Sequence, residues 1–127
     1  MMKRLLLSIV LATAPYVVHA QDVVVLALTC TLTKGEPKIA GEIKNISSRS
    51  LSHVYIGPAF RDENGSFVSK GMAIADFDPI LPGQTSTFDG FDGRNPVITR
   101  VTIAPFLLLG GALASSGISS AVCLSSK

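Results

Sequence analysis

The chain has 127 residues, 47% of them hydrophobic and only 16% charged, with no Trp and a formal net charge of +2. Lys3 and Arg4 account for that surplus. The remaining charges balance, which excludes the basic face a nucleic-acid binder carries, and the length leaves room for one domain and one core.

Residues 1–20 read as a secretory signal. Lys3-Arg4 form its positive region, Leu5 to Ala14 its apolar run, and Val18-His19-Ala20 the small-residue pattern a signal peptidase cuts behind. Cleavage is expected after Ala20, leaving residues 21–127 as a single domain in the periplasm or outside the cell. A membrane anchor is the rival reading, since Val23 to Leu28 adds a second apolar run. Gln21-Asp22 interrupts the two, however, and neither alone has the roughly 20 residues of a spanning helix. Ala27-Leu28-Thr29 also lacks the small residue that lipoprotein processing requires before Cys30.

After the leader, the pattern has the two-residue period of strands. Val23-Val24-Val25, then Leu26, Leu28, Cys30 and Leu32, predict one strand with a buried face. Lys34-Gly35-Glu36-Pro37 turns the chain, and Ile39, Gly41 and Ile43 alternate with Glu42 and Lys44 in a half-buried strand. Asn45-Ile46-Ser47 has the form of a glycosylation sequon, but a turn role for Asn45, continued by Ser47, Ser48 and Ser50, is the preferred reading. Val54, Ile56, Pro58 and Phe60 share the next inward face; Pro58 donates no hydrogen bond, so a bulge or a partial edge is expected there. Asp62-Glu63-Asn64-Gly65 predicts a hairpin turn leading to Phe67-Val68. Further strands are expected at Met72 to Asp78, at Thr85 to Phe91 with Phe88 in the core, and, after a turn at Gly93 to Pro96, at Val97 to Ile103.

Several of these pieces occur in a familiar order. Gly41-x-Ile43-x-Asn45-x-Ser47, an apolar strand, Phe60-Arg61-Asp62-x-Asn64-Gly65 and Leu81-Pro82-Gly83-x4-Phe88 together resemble the FxLYD family of bacterial, mostly exported, immunoglobulin-like domains. At the motif that names the family, Pro58, Phe60 and Arg61 stand where an aromatic, a leucine and a tyrosine are usual, and only Asp62 matches. The resemblance implies a sandwich of about seven strands without known catalytic residues. With the strand pattern, the expected fold is an all-β, immunoglobulin-like antiparallel β-sandwich.

Sites of chemistry are few. His53 is the one histidine after the leader, and the two cysteines of an exported chain, Cys30 and Cys123, are expected to form a disulfide. Asp76, Asp78, Asp89 and Asp92 gather around the Pro79 to Gly83 turn; they motivate an alternative reading as a small envelope metal-binding protein or enzyme, but their spacing matches no calcium loop, and solvated turn carboxylates are the plainer account. No metal and no cofactor is therefore expected. The segment from Val101 to Ser126 carries no charge, and residues 104–127 are apolar and rich in Gly and Ser. Pro105 and the glycines oppose a lipid-spanning helix, so packing of Pro105 to Leu109 into the core, a small-residue loop, and a last strand at Ser120 to Leu124 are expected. Phe106, Leu107 and Leu109 are the candidate interaction residues if this segment is exposed. The function expected is that of an exported, non-catalytic module for protein interaction or envelope structure, with a protein partner. A membrane-associated accessory protein using the apolar tail is a further alternative.

Overall fold

The computed structural model describes residues 21–91 and 97–125; the leader, Asp92 and the expected Gly93 to Pro96 turn lie outside them. Ten strands follow in chain order: β1 (Val23–Thr33), β2 (Glu36–Asn45), β3 (Val54–Arg61), β4 (Phe67–Lys70), β5 (Met72–Ala75), β6 (Thr85–Phe91), β7 (Arg100–Leu107), β8 (Gly111–Ala112), β9 (Ser115–Gly117) and β10 (Ser120–Ser125).

These strands do not form the expected two-sheet immunoglobulin-like sandwich. They close into a seven-strand mixed β-barrel in the order β3-β5-β6-β2-β1-β10-β7 and back to β3. Two strands effect the closure. β3 is bonded on both sides, to β7 along its whole length and to β5 and then β4 on the other flank. β10 changes partner midway: Ser120 to Val122 pair antiparallel with β7, and Cys123 to Ser125 pair parallel with β1. Alternation reveals which side chains point inward but not which strands are neighbours, and sandwich and barrel therefore have the same pattern in sequence.

Pro58 fits this arrangement without an edge. Its carbonyl accepts from the Gly71 amide at 3.1 Å, and Gly71 lies between β4 and β5. A strand residue points its N–H and C=O to the same side, so the donor that proline lacks falls at the break between two partners.

β1 departs from simple alternation in an informative way. Val23 and Val25 are buried, then Leu28 and Cys30, so the inward parity flips between them. The register against β2 shifts there, Val25 facing Ile43 and Ala27 facing Glu42, with Leu26 left over as a bulge and 44% exposed. The expectation of Leu26 on the buried face is thus corrected. Gly41 lies beside the bulge because a Cβ there would collide with the Ala27 carbonyl and the Phe88 ring.

The interior is filled by residues from every wall, with Ile39, Ile43, Leu51, Val54, Ile56, Phe60, Ile80, Phe88, Ile98 and Val101 among the most buried. Cys30 and Cys123 are bonded, linking β1 to β10 where those strands run parallel. The apolar tail is part of the barrel wall: β7 continues through Leu107, turns at residues 108–110 into β8, and returns as β9 and β10. No helix among the described residues is long and apolar enough to cross a membrane.

Candidate functional site

One end of the barrel is built from four connected segments: Asp22, residues 46–53, residues 76–84 and residues 107–114. Asp22 accepts from the Ala114 amide at 2.9 Å and pairs with Arg49 at 3.4 Å. Leu51 and Ile80 exchange backbone bonds of 3.0 and 2.8 Å, and Leu108 donates to the His53 carbonyl at 3.1 Å. His53, which takes a positive φ, is bound twice by Asp78: its amide donates to Oδ1 at 3.1 Å and its Nδ1 lies 3.1 Å from Oδ2.

Asn45 is the residue that joins the first two loops. It is fully buried, and every hydrogen-bonding group it has is used. Its Nδ2 donates to the carbonyls of Arg49 and Ile80, both at 2.8 Å; its Oδ1 accepts from the Ser47 amide at 2.9 Å and the Ser47 hydroxyl at 2.7 Å. Its amide donates to Gln84 at 3.0 Å, and its carbonyl accepts from Gly83 at 2.7 Å. The sequon is therefore a loop keystone whose amide nitrogen has no path to a glycan in the folded barrel.

This framework presents apolar side chains to solvent beside the exposed Ser48, Arg49, Ser50, Ser52, His53, Asp76 and Asp78. Ile46, Phe77, Leu81, Leu108 and Leu109 are all exposed, and Leu109, at the tip of the β7–β8 turn, is 92% exposed. The three candidate interaction residues separate. Leu109 projects into solvent, Leu107 is half buried and packs on the core, and Phe106 is half buried on the outer wall, stacked on Tyr55 with ring centroids 5.7 Å apart. The opposite end also has exposed apolar residues, Phe67, Phe91, Val97 and Leu124, and it too carries charged residues, Lys34, Asp62, Glu63 and Arg100; what sets the first end apart is Leu109, the most exposed of the large apolar side chains among the described residues.

The four aspartates do not converge. Asp78 is turned to His53, and Asp76 accepts from the Thr87 hydroxyl. Asp89 lies on the outer wall opposite Ile74, and Asp92 is outside the described residues. Among the described residues, no group of three or more His, Cys, Asp or Glu is placed to hold a metal ion. Asp76 and Asp89 instead border an open cleft of about 550 Å³ on the outer face of β1, β2, β6 and β5, with Thr29, Thr31, Lys38, Met72, Ile74 and Phe91 along it. Sequence reasoning missed this cleft, although the strand parity of Met72, Ile74 and Phe91 was readable. A smaller hollow of about 300 Å³ lies between Phe67 and Phe106 above Gly57 to Ala59.

Comparison with protein-family models, curated proteins and solved structures found no match for this chain.

Proposed function

We propose that this protein is an exported, non-catalytic interaction module whose working surface is the barrel end formed by residues 46–53, 76–84 and 107–114. The observation that carries the proposal is Leu109, a leucine 92% exposed at a turn tip, with Leu108, Leu81, Phe77 and Ile46 exposed on the adjoining loops. Exposing a leucine forgoes roughly 1.5–3 kcal/mol of burial, and grouped apolar tips mark a surface that is covered in use. The loops behind them are held by Asn45 and by the Asp22–Arg49 and His53–Asp78 pairs, which is the rigid support a binding surface needs. Export is supported by the leader pattern of residues 1–20 and by the Cys30–Cys123 disulfide, a bond that persists in oxidising compartments.

The test is co-purification from the native envelope. An L108S/L109S double variant, which spares the core-packed Leu107, is expected to lose the envelope component that the parent protein retains while melting at the same temperature. Undiminished recovery of that component by the double variant overturns the reading.

A further inference from the structure

We infer that the hollow of about 300 Å³ between Phe67 and Phe106 is a binding site for a small organic anion with an apolar body, namely a free medium-chain or aromatic carboxylate. The outward residues of β3 dictate its shape. Tyr55, Gly57, Ala59 and Arg61 alternate with the buried positions, and the small pair in the middle leaves a gap between larger neighbours. Ala104 and Thr102 stand opposite Gly57 and Ala59 on β7, so the floor stays low on that side too. Phe106 leans over it: a Cβ at Gly57 would lie 3.5 Å from its ring. Phe67 and Met72, each at least half exposed, form the facing wall and leave apolar surface open to a ligand.

Charge selects the head group. Lys70, which faces Ala59 across the β3–β4 pair, is the one charged residue that lines the hollow. At the next outward step along the same face, Arg61 and Arg100 stand directly opposite each other on β3 and β7, a placement in which like charges repel. Arg61 is held by neutral acceptors, the Gly65 carbonyl at 3.1 Å and the Thr102 hydroxyl at 3.5 Å, and among the described residues neither arginine nor Lys70 forms an ion pair. Asp62 and Glu63 follow Arg61 but line a separate hollow with Val97 and Thr99, while Asp76 and Asp89 belong to the larger cleft on the other side of Met72. A carboxylate beside Lys70, with its chain or ring between Phe67 and Phe106, offsets this local positive charge and covers the exposed rings. The volume is at the small end of ligand sites, which suits a free acid and not a two-chain lipid.

Octanoate and octylammonium share a chain and differ in the sign of the head group. Each is titrated into the isotope-labelled protein while the backbone amide NMR resonances are followed. Octanoate is expected to shift the Gly57, Ala59, Lys70 and Gly71 amides saturably, and octylammonium to leave them in place. K70Q is expected to weaken octanoate binding about fivefold, near the most that one exposed ion pair contributes. A59F, which fills the floor, is expected to abolish the response, and F67A, a change at an exposed side chain, to weaken it. Absence of a saturable shift, equal shifts with octylammonium, or shifts centred on residues 107–114 overturns the inference. So does an octanoate affinity that either K70Q or F67A leaves unchanged, or that a folded A59F retains.

Discussion

Asn45 shows how much one side chain can organise. Replacing it by Ala removes its bonds to the carbonyls of Arg49 and Ile80 and to the amide and hydroxyl of Ser47, of which the bond to Ile80 is buried, while the Ile80 carbonyl keeps Leu51 and the Arg49 carbonyl keeps the Ser47 hydroxyl. Losing these bonds from a fully buried side chain is expected to lower stability by about 1–3 kcal/mol in urea titrations. A loss below 1 kcal/mol would show that water replaces the side chain. Neighbouring leucines are expected to behave oppositely to one another. Leu107→Ser removes a side chain packed on the core and should cost about 2 kcal/mol, whereas Leu109→Ser should stay within about 0.5 kcal/mol of the parent. Thermal melts of the two variants, side by side, check this. The sequence pointed to the turn role of Asn45 through its Ser-rich neighbourhood, but not to its bonds with Ile80, 35 positions away, because such contacts depend on how the loops meet.

At the scale of elements, the link between β1 and β10 has the largest expected effect. The two cysteines are 93 positions apart, and closing such a loop restricts the unfolded chain by about 4–5 kcal/mol. Against a typical domain stability of about 5–15 kcal/mol, its loss is expected to bring the urea midpoint down sharply. Titration of the parent and of a C30A/C123A double variant measures it, and coincident curves would contradict the assignment. Inward parity was largely legible in the strands: Val54, Ile56, Pro58 and Phe60 are buried together, as is Phe88. β1 was not, since an extra residue at Leu26 shifts the phase and a run of Val, Leu and Ala gives no sign of where it falls. Of the tail, the terminal strand at Ser120–Ser125 was legible; the segment before it was not, since Leu108 and Leu109 are exposed rather than packed in the core and the expected small-residue loop holds β8 and β9.

For the whole molecule, closure was the feature that composition and period could not convey. It depends on β3 and β10 finding partners on both sides, and neither Pro58 nor the Ser-rich approach to Cys123 announces that. Closure also changes where binding can occur. In a closed barrel the seven wall strands offer few unpaired backbone groups, which weakens strand addition as a route to a partner and directs attention to the ends. Amide exchange is expected to be slow along β3 on both of its edges, at Ile56 and Phe60 toward β5 and β4 and at Tyr55, Gly57 and Ala59 toward β7; rapid exchange on either flank would indicate an open sheet.

The claim that the Leu109 end is the working surface is tested most directly by a photocrosslinking residue placed at position 109 in the full-length chain and activated in the native envelope. The account expects an adduct from position 109 and none from position 67 at the opposite end. Adducts from position 67 alone, or none from position 109, would contradict it.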